Sequence, residues 1–147
     1  MLRLMFAAVL AVAVILPAAT AAAGPIEDRQ AIMKGNGRDT KMGGDMLKGV
    51  VPFDAAMANK ILANYAAAAK AFPAHFPANS KTGGDTEASS AIWTMPADWK
   101  IGTDKFQKDT AAAAALKPTD AATFGKAFGM VTANCKSCHE GFRIKKD

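Results

Sequence analysis

Reactive side chains are scarce in this 147-residue chain, which has two cysteines and two histidines. A zinc centre takes four protein ligands, or three and a water, and His75 stands far from the others in a proline-rich stretch. There is no internal repeat, no low-complexity linker and no sustained apolar–polar alternation of the kind a half-buried strand shows. Repeat and sheet architectures are therefore set aside. Beyond residue 16 no apolar run is long enough to span a bilayer, so the mature protein is expected to have no membrane span. One sign of charge only slightly outweighs the other, with 18 Lys and Arg against 13 Asp and Glu. The basic residues are scattered apart from Lys145-Lys146, which argues against nucleic acid as a partner.

The chain opens on Met1-Leu2-Arg3, followed by an apolar run from Leu4 to Leu16 that Pro17 breaks. Small residues follow, and Ala19-Thr20-Ala21 and Ala21-Ala22-Ala23 both fit the small-x-small cleavage rule. Residues 1–23 read as a signal peptide cut after Ala21 or Ala23, and residues 24–147 as one domain. Arg3 is the leader's sole charge, so its removal leaves a net charge of +4.

Four helical segments are predicted. The first runs from about Ile26 to Leu47, with Ile26, Gln30, Met33, Gly37, Thr40, Gly44 and Leu47 on one stripe. Its glycines, poor helix formers, suggest close backbone approach to a flat ligand. The second follows Asp54, a predicted N-cap, and carries Ala58, Ile61, Leu62, Tyr65, Ala69 and Phe72 on its buried face. A long connection punctuated by Pro73, Pro77 and Gly83-Gly84 leads to the third, from about Asp98 to Leu116, which Pro118 stops. Thr119 is expected to cap the fourth. There Phe124, Phe128, Val131, Cys135, Cys138 and Phe142 step by four and three, the seam of an antiparallel bundle. Met57 and Met130 read as core fillers.

That seam contains Cys135-Lys136-Ser137-Cys138-His139. The C-x-x-C-H pattern is the signature of c-type haem attachment. Two thiols three residues apart can add across the vinyl groups of one haem, and the adjacent imidazole can then reach its iron. A dithiol redox site normally opens a helix after a strand, and here no strand precedes. Half a zinc site and a structural disulfide remain as rivals. His139 and the export signal favour one covalent haem c per chain.

A haem motif near the end of a four-helix chain resembles the class II cytochromes c, the cytochrome c′ family. The resemblance rests on Arg29-Gln30-Ala31-Ile32-Met33-Lys34, Lys48-Gly49, Pro52-Phe53-Asp54-Ala55, Ile92-Trp93 and Cys135 to Arg143. It implies an all-α antiparallel four-helix bundle, with Cys135 and Cys138 as thioether links and His139 as proximal iron ligand. The distal position falls on Met33. Methionine there resembles the low-spin branch, in which the thioether binds iron and raises the potential; the alternative is that Met33 only packs. His75 is a remote alternative ligand, read as a loop residue away from the first helix. Met42 and Met46 lie off the Met33 stripe. The resemblance further implies that Arg29 contacts a haem propionate and that Arg143 acts on His139 through its charge. Either is otherwise an ordinary surface arginine.

The expected function is that of a periplasmic electron carrier rather than an enzyme, with periplasmic or membrane-bound redox proteins as partners. The alternative is a five-coordinate binder of nitric oxide or carbon monoxide. Weak peroxidase activity would be incidental to open iron. Family members are often homodimers through their first two helices, so a homodimer is a further expectation that the stripes leave open.

Overall fold

A computed structural model describes residues 24–144; residues 1–23, on which the expected signal peptide falls, and residues 145–147 lie outside the described residues. Four long helices make the body: α1 (Pro25–Leu47), α2 (Ala55–Ala71), α4 (Pro96–Ala115) and α5 (Ala121–Phe142). A one-turn α3 (Ala91–Thr94) leads into α4, and two short 3₁₀ turns, Phe72–His75 and Ala78–Ser80, lie in the long connection. Among the described residues the sole β pairing is one isolated bridge, Ala88 to Arg143.

The direction of each helix follows from what meets at its ends. Phe72, at the end of α2, stacks near Trp99 at the start of α4, and Trp99 meets Phe142 at the end of α5. Arg29, in the first turns of α1, reaches the segment just beyond α2. Neighbouring helices therefore run antiparallel, as in an up-and-down bundle.

Local chemistry sets the boundaries. Asp54 caps α2, accepting from the Met57 amide at 2.8 Å. α1 ends in a Schellman motif: Val50 N–H donates to the Asp45 carbonyl and Gly49 N–H to that of Met46, with Gly49 at φ +71°. α4 starts two residues before the predicted Asp98, because Pro96 suits the first helical turn. The predicted Thr119 cap is corrected to Asp120. Its extended backbone and carboxylate reach the Thr123 amide at 2.8 Å, and that hydrogen bond holds its pKa below the usual carboxylate value.

The core is built from Met46, Ala58, Ile61, Leu62, Tyr65, Ala113, Phe124, Ala127, Phe128 and Val131. The α2 and α5 stripes supply most of it, each large side chain being worth about 1.5–3 kcal/mol when fully buried. α1 departs from its predicted stripe in its second half, where Gly43 and Met46 turn inward and Leu47 is exposed. The reason is steric. A Cβ on Gly43 would run into the Phe128 ring edge, so glycine there lets α1 approach α5 closely. The close approach predicted for a flat ligand is, at Gly43, an approach to a phenylalanine. Met46 is the core methionine, 4% exposed, whereas Met57 and Met130 are each 38% exposed and are not core fillers.

Candidate functional site

Residues three apart stay on one side of a helix, so α5 turns Cys135 and Cys138 to the same side. Both are half-buried and both thiols are free. Burial raises both thiol pKa values, and the neighbouring Cys135 adds to the effect at Cys138. Both thiols therefore stay protonated at neutral pH. His139 follows immediately. Desolvation pulls its pKa below the usual histidine value, the charge of Arg143 adds to this, and Glu87 opposes it. The neutral imidazole, the form that binds a metal, is thereby favoured.

This donor set fits a covalently held haem: two protonated thiols one turn apart on the inward seam, and a neutral imidazole beside them. It does not fit a zinc site or a redox dithiol. Among the described residues no three His, Cys, Asp or Glu side chains come together to hold a metal ion. The cysteines also lie in the last third of α5, not at a helix N-terminus where a redox dithiol is activated.

Around Cys138 a groove of about 220 Å³ runs between α4 and α5, bounded by Asp98, Ile101, Gly102, Asn134 and Phe142. Phe142 belongs to an aromatic cluster that closes this end of the bundle. Trp99 packs edge-on against both Phe142 at 5.1 Å and Phe76 at 4.8 Å, and Phe76 meets Phe72 at 4.9 Å. The Trp93 indole N–H donates to the Phe76 carbonyl at 3.0 Å.

Met33 is half-buried on α1, with its sulfur 3.9 Å from the Asn36 side-chain amide. Two turns further on, the Thr40 hydroxyl and the Tyr65 phenol share a hydrogen bond of 2.7 Å, tying α1 to α2. Tyr65 is 1% exposed, and burial pushes its pKa up to about 12.

Arg29 is 4% exposed and is no surface arginine. Its guanidinium bonds the connection between α2 and α3. His75 is corrected as well: it packs beside α1, its Nδ1 3.5 Å from the Asp28 carboxylate. The turn Phe72–His75 folds back over the bundle end instead of leaving it. Arg143 stands just past α5 with its Nε 2.5 Å from Glu87. The chain is fastened there by backbone bonds from Ser89 to Phe142 and from Ile144 to Glu87.

Sequence reasoning missed two polar ties. The first is Thr40–Tyr65, signalled only by a phenol on an otherwise apolar stripe, whose hydroxyl needs a partner when buried. The second is Asn134, 5% exposed and next to Cys135. It donates to Asp109 at 2.9 Å and accepts from Lys105 at 3.1 Å, joining α5 to α4. Lys105 first and Asn134 second hold the Asp109 carboxyl below its usual range.

A family model described as Cytochrome C′ matches residues 24–143. The chain is 47% identical over 123 residues to a cytochrome c′ of Rhodopseudomonas palustris, covering 82% of each. It is 38% identical over 125 residues to a cytochrome c-556 of Agrobacterium fabrum, covering 85% of this chain and 84% of the relative. The solved cytochrome c′ of Rhodopseudomonas palustris matches the fold with a TM-score of 0.78 at 42% identity, over 85% of this chain and 99% of that one.

Proposed function

Because this chain belongs to the cytochrome c′ family, four-helix proteins with covalently attached haem c, we propose that it is a one-electron carrier of the periplasm. It exchanges electrons with periplasmic or membrane-bound redox proteins and has no substrate reaction of its own. When bound, the haem would supply one-electron redox chemistry. Cys135 and Cys138 would hold it, and His139 with its neutral imidazole and Met33 with its thioether would be the side chains that ligate its iron. The rings of Phe76, Trp99 and Phe142 pack together at that end of the bundle.

The observation that carries this reading is Met33 itself: a half-buried thioether on α1, on the side of the buried Arg29 one turn earlier. Identity to a cytochrome c-556 supports it. The periplasmic assignment rests on residues 1–23, which lie outside the described residues. Among the described residues no helix is long and apolar enough to cross a membrane.

The second reading is a five-coordinate binder of nitric oxide or carbon monoxide. The higher identity to a cytochrome c′ favours it. On this reading Met33 only packs, and uncharged diatomics enter an apolar distal face that a charged ligand would enter only at a desolvation cost. Absorption spectra of the oxidised and reduced protein decide between the two. A low-spin, six-coordinate spectrum in both states is expected; a high-spin spectrum would put the gas-binding reading first.

A further inference from the structure

The four hydrogen bonds of Arg29 all go to uncharged oxygens of one stretch of chain. Nη1 donates to the His75 carbonyl at 3.1 Å and the Ser80 hydroxyl at 2.9 Å. Nη2 donates to the Ser80 carbonyl at 2.9 Å and the Thr86 hydroxyl at 2.5 Å. A guanidinium has five N–H donors, four of them on these two nitrogens. Only the Nε donor is left for any other acceptor, a propionate included. The guanidinium carbon also lies 4.8 Å from the centre of the Phe76 ring and 6.0 Å from that of Trp93, a cation–π arrangement that works best when desolvated.

No other residue at this end of α1 is fully buried. Its buried residues are Arg29, Gly43 and Met46, and the last two belong to its far half. The polar contacts nearby are weaker or more exposed: Gln30 to the Asp85 carbonyl at 2.9 Å, and Asp28 to His75. Met33 lies between the Arg29 bonds and the Thr40–Tyr65 bond. A fork that fixes two nitrogens in one plane holds a helix against both translation and rotation, which a point-like ammonium does not.

We propose that Arg29 is a positioning residue: by clasping residues 75–86 it fixes the first half of α1 and thereby the reach of Met33 toward the haem iron. This rests on Met33 being a ligand. The rival is that Arg29 acts on the haem directly, through its charge at a propionate.

Arg29→Lys and Thr86→Val in the haem-loaded protein separate the two. The first keeps the charge and loses the fork. The second leaves Arg29 in place and removes one acceptor from the clasp. Both variants are expected to speed amide exchange in residues 25–36, by about tenfold for one lost charge-assisted bond. Both are also expected to give a high-spin fraction in the oxidised spectrum and faster carbon monoxide binding to the reduced form, with Arg29→Lys the larger. In the double variant the effects should not add, since both substitutions break one interaction.

Should Arg29→Lys fail to fold, Thr86→Val alone carries the comparison. Wild-type spin state, spectrum and exchange unchanged in Thr86→Val would overturn the clasp and leave Arg29 acting directly. A wild-type protein that is already high-spin defeats the Met33 reading separately. Exchange in residues 25–36 and the carbon monoxide rate then still test the clasp: faster values in Thr86→Val support it, and unchanged values overturn it.

Discussion

Met33 sits between the Arg29 clasp and the Thr40–Tyr65 bond, so shortening its side chain alters the distal face without releasing the helix. In Met33→Ala the oxidised spectrum is expected to pass from low-spin to high-spin. The potential should fall, since methionine ligation raises it, and carbon monoxide should bind the reduced form faster. The stability cost should be about 1–2 kcal/mol, less than for a fully buried methionine. An unchanged spectrum would remove Met33 from the iron. Tyr65 offers a second reading at this scale, because it is the only tyrosine. Burial raises its pKa to about 12, while an unfolded phenol ionises near 10. Between those values the unfolded chain loses a proton that the native one keeps, so Tyr65 favours folding below about pH 10 and progressively less above it. Phenolate absorbance should stay absent until about pH 12 unless the protein unfolds first. Native ionisation near pH 10 would show that the phenol is open to water.

Among the elements, α1 is the one whose sequence is least suited to being a helix. Two of its neighbouring glycines are expected to respond oppositely. Gly43 abuts the Phe128 ring, and Gly44 has open space where its Cβ would stand. Gly43→Ala should destabilise, with overpacking of about 1–3 kcal/mol outweighing a propensity gain of up to about 1 kcal/mol. Gly44→Ala should keep only that gain. Denaturant midpoints read both, and the same sign for both would refute the close approach of α1 and α5. At the end of α4, Lys117 adopts the left-handed conformation at φ 44°, where helices usually place glycine. Lys117→Gly is expected to stabilise by about 1 kcal/mol, read as a higher melting temperature.

For the whole molecule, stability and haem attachment are expected to be linked. α1 buries few side chains of its own, so the haem's apolar surface is expected to supply much of what its first half packs against. Ligands that bind only the native state stabilise it. A Cys135→Ala/Cys138→Ala protein that mass spectrometry shows to be without haem should lose side-chain NMR dispersion and melt well below the loaded protein. Sharp signals with an unchanged melting point would mean that the bundle stands without the group.

What the sequence by itself determined is what is written locally along one helix. The steps of four and three from Phe124 to Phe142 gave a bundle seam, and the spacing of Cys135, Cys138 and His139 gave the attachment chemistry. Asp54 and Gly49 set helix ends because a cap or a left-handed turn involves only residues near in the chain. Tertiary structure decided whatever depends on a partner from another element. It brought His75 to α1, gave Arg29 four oxygens from beyond α2, supplied Tyr65 with Thr40, and chose Gly43 and Met46 over Gly44 and Leu47 as the inward pair. Periodicity names a helix face to within a residue or so. Where two helices meet, one ring edge such as that of Phe128 decides which residue lies at the contact, because a packed interior leaves no room for a second answer.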